Sequence, residues 1–298
     1  MNAPGAVAAN FINVGMYKVR LHLGKMFLLA VMAGAFIALA GLGAATASCM
    51  VSSLSVAKLV GACVFPAGLT MVLLAGSELF TGNCLLIIPL LSRKIMIAGM
   101  LRNWLVVYIG NFIGSILVAM IAVYSHQLGL FSDTLVLTTM QTAAAKCGMG
   151  IGDAFLRGIA CNFLVCIAVW IAFAATDVVG KIAGLYLPIM LFVVSGFEHS
   201  IANMYYGPVG VLAKGVPEYA QIATQAGLDL SVLSWGNFFI HNLIPVTIGN
   251  VIGGVLVGAV YWYCYLKDKK EQEKKDLEKR DEIFAAKYHT YGYIEHQK

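Results

Sequence analysis

Three ionisable side chains stand out because they lie inside long apolar segments of the sequence. Glu78 and Glu198 are the two acidic residues so placed, among seven that precede position 267, and His199 is the only histidine near the middle of such a segment. An ionised side chain at a bilayer centre costs at least ~2.5 kcal/mol, so such residues usually mark a solute pathway or a buried pair. A carboxylate can accept hydrogen bonds from backbone N–H groups, and an imidazole, with an unperturbed pKa near 6.5, can donate to an anion or exchange a proton with it.

The two glutamates occupy equivalent positions in a repeated motif. Residues 76–83 and 196–203 both read G-x-E-x4-N, which places Gly76 and Gly196 two residues before each glutamate. A second motif, N-x7-N-x-I-G, follows in the same order at residues 103–114 and 242–253. The repeated position gives the glutamates a structural role, in which each carboxylate accepts N–H groups freed where a helix breaks. Direct contact between these carboxylates and a solute is the alternative.

The histidine is not part of the repeat. Leu79 stands opposite His199 when the two motifs are aligned, so the shared scaffold does not require an imidazole there. This asymmetry favours a functional role for His199. The alternative is a structural role, in which the imidazole only forms hydrogen bonds in a buried network with Glu198. Thr81 follows the first glutamate and can supply a hydroxyl group that faces the histidine.

The elements that position these residues are membrane spans. Of the 298 residues, 60% are hydrophobic and 12% charged, against about 25% charged in soluble globular proteins. Six segments are long enough to cross a bilayer, which takes about 20 apolar residues. The second and fifth are too long for one crossing, and proline, glycine and glutamate interrupt both. The segments are 26–48, 57–91, 102–124, 157–176, 182–213 and 237–266.

The repeat pairs the second span with the fifth and the third with the sixth. Each half therefore has three spans, and an odd number places the halves in opposite orientations. Inverted repeats with interrupted helices are typical of transport proteins, and irregular backbone at membrane depth is tolerated where it lines a cavity. We predict an all-α membrane protein of six transmembrane helices in two inverted three-helix repeats. Its channel domain covers residues 1–266, and a pore runs between the two breaks.

Basic residues predict the orientation, because Lys and Arg accumulate on the cytoplasmic side. Basic residues precede the first span, lie between the second and third spans and between the fourth and fifth, and follow the sixth. All of these fall on one side of the membrane if both termini are cytoplasmic. Lys58, Lys146, Arg157 and Lys214 lie in the opposite loops. We expect a multi-pass protein of the plasma (inner) membrane. The charged tail, 267–298, is predicted to be cytoplasmic and helical at its start.

Several classes of function are disfavoured. The basic residues form no stripe interleaved with aromatics, so nucleic acid is a poor partner. Seven scattered cysteines without a CxxC pair indicate neither a zinc site nor a disulfide framework. An intramembrane enzyme that uses Glu78, Glu198 and His199 is the alternative from another class, but no HExxH or GxSxG motif supports it. We therefore expect no enzyme activity, no cofactor and no metal.

At these motifs the sequence resembles the formate/nitrite transporter family. The resemblance rests on AGSELFTGN (75–83), NWLVVYIGNFIGS (103–115), RGIACNFLVCIAVW (157–170), SGFEHSIANM (195–204) and NLIPVTIGNVIGG (242–254), which cover every span except the first. It implies an aquaporin-like protomer within a homopentamer, each protomer with its own pore for small monovalent anions of weak acids. Formate and nitrite are the expected solutes, with hydrosulfide, acetate or lactate as alternatives in the same family. A water channel is disfavoured because both breaks lack Asn-Pro-Ala boxes.

The resemblance also implies roles for individual residues. His199 corresponds to the family's central histidine and Thr81 to its facing threonine, while Asn162 and Asn250 correspond to pore asparagines. Lys146, in the loop before the fourth span, matches a vestibule lysine that would attract anions. An apolar constriction favours a neutral solute over a bare anion, so transport is expected to be proton-linked. The constriction residues carry over to Phe65, Leu69, Leu79, Phe80 and Phe192.

Overall fold

The computed structural model describes residues 1–267, which form eleven main helices and no strand. The three-residue 3-10 turns at Gln127–Gly129 and Leu230–Val232 lie in connections, and Phe238–Leu243 is a π-helical segment of the last helix. The helices are α1 Pro4–Arg20, α2 Leu23–Ser48, α3 Leu54–Leu74, α4 Phe80–Leu91, α5 Ile97–Tyr124, α6 Thr134–Cys147, α7 Ile151–Ala174, α8 Val178–Val194, α9 Ser200–Lys214, α10 Pro217–Gln225 and α11 Trp235–Tyr265.

Five of these helices, α2, α3, α5, α7 and α11, are long and apolar enough to cross a membrane alone. The predicted second span consists of α3 and the shorter α4, and the predicted fifth of α8 and α9, so the interruptions expected in both spans are present. The predicted fifth span therefore contains no helix that is long enough to cross alone. Except for Lys267, the predicted helical tail lies outside the described residues.

Three shorter helices, α1, α6 and α10, were not predicted from the sequence. They are more polar than the spans and too short to cross a bilayer, so a search for long apolar runs passes over them. The placement of Lys146 in a loop was wrong, because this lysine lies in the last turn of α6. Three consecutive alanines near the end of the 14-residue α6 favour a helix around Lys146.

Two closely packed helix pairs hold the spans together. α2 packs against α5 in the first half, and α7 packs against α11 in the second. A Cβ atom on Gly114 would clash with the carbonyl oxygen of Val31, and one on Gly253 would clash with that of Ile159. Glycine at these contacts lets the backbones approach closely, as is common where helices associate in a membrane. This tight packing fixes the helices that carry the two breaks.

Candidate functional site

Each break begins at a glycine in the left-handed region. Gly76 has φ +77° and Gly196 has φ +71°, a conformation that glycine adopts without the steric cost of a Cβ atom. The helix therefore ends there, and the chain runs extended to Leu79 in the first break and to His199 in the second. The next helix begins at the following residue. The repeated motif thus produces the same local structure twice.

An asparagine from the neighbouring span satisfies the polar backbone of each break. Asn111 Oδ1 accepts the N–H of Phe80 at 3.0 Å, and its Nδ2 donates to the carbonyl groups of Glu78 and Ala30. Asn250 makes the same contacts in the second half: Oδ1 accepts the N–H of Ser200 at 2.8 Å. Its Nδ2 donates to the carbonyl groups of Glu198 and Gly158. The resemblance places Asn250 in the pathway, but both the oxygen and the nitrogen of its side-chain amide are hydrogen-bonded to backbone groups.

Both glutamate side chains form ion pairs with lysines. Glu198 Oε1 lies 2.6 Å from Lys146 Nζ, and Glu78 Oε1 lies 2.8 Å from Lys18 Nζ. The prediction that these carboxylates accept the N–H groups freed at the breaks was wrong. Asparagine side chains and carbonyl groups of adjacent helices accept those hydrogen bonds instead. A charged lysine is the stronger partner for a buried carboxylate.

Further asparagines complete each carboxylate's surroundings. Asn203 Nδ2 donates to Glu198 Oε2 at 2.7 Å, and Asn83 Nδ2 donates to Glu78 Oε2 at the same distance. Each of these amides also donates to the next asparagine, Asn242 or Asn103. All four lie in the repeated motifs of the sequence, which therefore carried the signal for this network, although the sequence analysis gave them no role.

Lys18 was also missed, and its equivalence to Lys146 extends the repeat. Each lysine lies near the end of a short helix that precedes the first span of its half. Each also lies 12 residues before the residue whose carbonyl group the scaffold asparagine binds, Ala30 for Lys18 and Gly158 for Lys146. Each half therefore begins with a short helix, α1 or α6, that supplies the counter-charge for a break.

Two cavities approach the breaks from opposite sides. The Glu198 cavity, of about 440 Å³, adjoins the beginning of α7 at Arg157. The Glu78 cavity, of about 220 Å³, adjoins the end of α7 at Phe173. Arg157 and Phe173 are separated by more than four helical turns, so the cavities open toward opposite ends of the spans.

Thr81 and His199 meet in the buried region between these cavities. Thr81 Oγ1 lies 2.9 Å from His199 Nε2, and the two residues are 0% and 3% exposed. His199 also caps the N-terminus of α9, since its Nδ1 accepts the N–H of Ala202 at 3.1 Å. An Nδ1 that accepts a hydrogen bond carries no proton, so the neutral ring directs its Nε2–H toward the threonine.

Apolar side chains flank this contact on both sides. The rings of Phe65 and Phe192 lie edge to face with centroids 5.7 Å apart, and Phe192 stacks on the imidazole of His199. Both phenylalanines line the Glu198 cavity, whereas Leu69 and Leu79 line the Glu78 cavity.

Phe80 lies differently from the other expected constriction residues. It lines neither cavity, and its ring packs against Trp104 and Tyr108. The structure thus brings four of the five expected apolar residues to the cavities.

Asn162 anchors the backbone of Thr81. Its Nδ2 donates to the carbonyl groups of Thr81 and Asn250, at 3.2 and 2.6 Å. Gly34 is the equivalent position in the first half, four residues after Ala30 as Asn162 is four after Gly158. Gly254 leaves the space that the amide fills, since a Cβ atom there would lie 2.5 Å from Asn162 Nδ2. Asn162 and His199 are thus two departures from the repeat, and both contact Thr81.

The charge of the Glu198 cavity comes from residues to which the sequence analysis gave no site role. Lys146 is paired with Glu198, so this pair contributes no net charge. Lys58 and Arg157 line the same cavity and are exposed, which leaves its wall positively charged. Within residues 1–267 no group of His, Cys, Asp and Glu is arranged to hold a metal ion.

The comparisons with known proteins agree with this architecture. A family model described as formate/nitrite transporter matches residues 5–263. The chain is 37% identical to the probable formate transporter of Methanothermobacter thermautotrophicus over 286 residues, which cover 89% of this chain and 98% of that protein. It is also 37% identical to the formate channel FocA of Escherichia coli (strain K12), over 89% of this chain and 95% of that protein.

Two solved structures share the fold. One is a pentameric formate channel with formate bound, 37% identical with a TM-score of 0.73, covering 82% of this chain and 98% of that one. The other is an FNT family ion channel, 28% identical with a TM-score of 0.76, covering 87% of this chain and 98% of that one. The family match spans nearly the whole chain, including both breaks and the Thr81–His199 contact. The chain therefore belongs to the formate/nitrite transporter family, whose members are integral membrane proteins.

Proposed function

We propose that this protein is a membrane channel for small monovalent anions of weak acids, with formate and nitrite as substrates. The contact between Thr81 and His199 carries the proposal, because it places two hydrogen-bonding side chains at the buried point that separates two cavities. The apolar rings and leucines around it exclude hydrated ions. A solute that passes must exchange its hydration shell for these two polar groups.

The energetics favour passage of the neutral acid. Transfer of a bare carboxylate into a medium of low dielectric constant costs on the order of 20 kcal/mol for an idealised ion. Protonation at pH 7 of a carboxylate with a pKa of about 3.9 costs only about 4 kcal/mol. The anion therefore crosses the apolar region together with a proton. Because the neutral fraction rises tenfold for each unit by which the pH falls, the flux increases toward low pH.

His199 and Thr81 supply donors for this step. The neutral imidazole donates its Nε2–H to Thr81, which leaves the hydroxyl hydrogen of Thr81 free for the solute. A protonated ring would direct an Nδ1–H at the N–H of Ala202, so the ring does not hold a second proton stably. A proton that reaches His199 is therefore passed to the anion.

Lys58 and Arg157 concentrate the anion before this step. Their charges line the Glu198 cavity, and a basic funnel with apolar walls raises the local concentration of an anion. Lys146 lines the same cavity and is held in place by its ion pair with Glu198, the residue before His199. This arrangement supports the assignment of the Glu198 cavity as the entrance for anions from outside the cell.

We further propose a homopentamer in the inner membrane with both termini in the cytoplasm. The similar solved channel is pentameric. The basic residues at the end of α1, between α4 and α5, and at the beginning of α8 all favour the cytoplasmic side under the positive-inside rule. The Glu78 cavity then opens to the cytoplasm. The intramembrane enzyme has less support, because lysines already pair with both carboxylates.

Uptake measurements test the proposal. The purified protein, reconstituted in liposomes, is expected to take up formate and nitrite faster at pH 5 than at pH 7.5. Hydrosulfide, acetate and lactate are the comparison solutes, and faster passage of one of these would identify a different substrate within the family. Thr81→Val removes the hydroxyl group and is expected to lower formate flux at least tenfold, whereas Thr70→Val, which alters a hydroxyl bound to the carbonyl of Pro66, is the matched control. Absence of flux for all five solutes would overturn the proposal.

A further inference from the structure

A basic cavity of about 510 Å³ lies apart from the pathway. It is formed by the end of α1, the connection between α4 and α5, and the first turns of α5. Four cationic residues and no acidic residue line it. The two ion pairs in the described part of the chain involve other lysines, at the breaks. The four cations are Arg20, Arg93, Lys94 and Arg102.

Hydrogen bonds hold the backbone around this basic cavity in place. The N–H of Arg93 donates to the carbonyl of Leu90, and the N–H of Lys94 donates to that of Pro89, both at 2.9 Å. Arg102 donates from Nη2 to the carbonyl of Val19, which ties α5 to the end of α1. The wall of the basic cavity is therefore held by hydrogen bonds within the turn after α4 and between α5 and α1.

The beginning of α5 adds to the positive potential. This helix has no acidic residue in its first turn and no side-chain cap, and Ala98 and Gly99 from that turn line the cavity. The N-terminus of a helix carries a partial positive charge, and its free N–H groups favour phosphate and other anions. Arginine forms paired hydrogen bonds with phosphate oxygens. The chemistry that fits this basic cavity is that of a phosphate group.

The depth of the cavity favours a phospholipid over free phosphate. α5 has 28 residues and is about 42 Å long, whereas the hydrocarbon core of a bilayer is about 30 Å thick. Its first turn therefore lies at the level of the lipid headgroups. Large apolar side chains beside the cavity, Met96 and Ile97, are 78% and 60% exposed, and Leu101 and Leu105 continue this exposed surface along α5. Acyl chains fit such a surface.

We propose that this basic cavity binds the phosphate of an anionic phospholipid, such as phosphatidylglycerol, whose acyl chains lie along α5. Basic pockets between transmembrane helices on the cytoplasmic side bind such headgroups in other membrane proteins. The site is separate from the pathway, so lipid binding and anion flux can be measured independently.

Titration of the delipidated, purified full-length protein with lipid, followed by native mass spectrometry, tests the proposal. Phosphatidylglycerol is expected to bind more tightly than phosphatidylcholine. Arg93→Gln combined with Lys94→Gln is expected to weaken phosphatidylglycerol binding about 30-fold and Arg93→Gln alone about fivefold, because each basic residue near a membrane surface contributes roughly fivefold. The matched control, Lys25→Gln with Lys181→Gln, removes two charges outside the cavity and is expected to retain the wild-type affinity.

Three results would overturn the proposal. Unchanged phosphatidylglycerol binding in the Arg93/Lys94 double variant would place the lipid elsewhere. An equal loss in the Lys25/Lys181 variant would show that diffuse charge attracts the lipid. Displacement of phosphatidylglycerol by an equal concentration of inorganic phosphate would show that the cavity takes free phosphate. Size-exclusion chromatography of each variant verifies that its assembly is that of the wild type.

Discussion

Lys146 and Glu198 form an ion pair across 52 residues of sequence, with Nζ 2.6 Å from Oε1. The side chain of Glu198 is 3% exposed, so the carboxylate depends on this lysine and on two asparagines for the stabilisation that water would otherwise provide. Lys18 and Glu78 repeat the arrangement in the other half. The two halves thus use the same ionic contact to support a break.

Removing the charge of Lys146 is expected to destabilise the protein. Lys146→Met leaves Glu198 buried without its counter-charge, which costs about 3–5 kcal/mol. Adding Glu198→Gln in the same chain removes the uncompensated charge and is expected to recover most of the loss. Thermal unfolding of both variants in detergent measures the difference. A single variant as stable as the double variant would show that the pair does not determine stability.

Removing the charges of the Glu198 cavity is expected to slow anion entry. Lys58→Gln and Arg157→Gln should each lower formate uptake at subsaturating concentration several-fold in low salt, and less at high ionic strength, because salt screens exposed charges. Lys25→Gln, outside this cavity, serves as the control. Initial uptake rates across a salt series provide the measurement, and equal rates in all three variants at low salt would contradict a steering role.

The glycines at the breaks are expected to be intolerant of a side chain. Gly76→Ala and Gly196→Ala force alanine into a left-handed conformation, at a cost of about 1–2 kcal/mol each. Gly152→Ala is the control, because that glycine lies in a helix with open space around it and an ordinary φ. Unfolding temperatures should fall for the first two variants only. A comparable fall for Gly152→Ala would indicate that the break conformation is not the cause.

Gly254 is expected to control the position of Asn162. Gly254→Ala places a methyl group against the amide of Asn162 and against Cys84, so the anchor of the Thr81 backbone must shift. Formate flux should drop at least tenfold, since a displacement of about 1 Å in a positioned group can have such an effect. Gly236→Ala, with open space around it, should retain full flux. Flux equal to wild type in Gly254→Ala would contradict the proposed role of Asn162.

Much of this arrangement was predictable because the chain contains its scaffold twice. The repeated G-x-E-x4-N motif placed Gly76, Gly196 and both breaks correctly, since a glycine followed by a charged residue within an apolar run is typical of an interrupted helix. The lysine partners were not predictable in the same way. Lys18 and Lys146 lie on short helices whose sequences share little, and the pairing becomes visible only when the helices are packed against the breaks.

The contacts of the residues that differ between the two halves were also not predictable from the sequence. His199 was identifiable from the sequence because it stands opposite Leu79, yet its distance from Thr81 depends on how the two breaks face each other. The position of Phe80 against Trp104 and Tyr108 follows from the rotation of α4, which sequence spacing within a short helix does not determine. Packing between distant segments fixed these details.

The central claim is that an anion acquires its proton at the contact between Thr81 and His199. His199→Asn tests it with little disturbance, because asparagine is a good N-cap residue and can keep the hydrogen bond from Ala202 while removing the Nε2 group. The decisive measurement follows formate uptake and internal pH together in proteoliposomes. We predict about one proton for each formate in the wild type and, in a His199→Asn variant that remains assembled, a loss of proton-coupled uptake. Equal proton uptake and an unchanged pH profile in that variant would contradict the account.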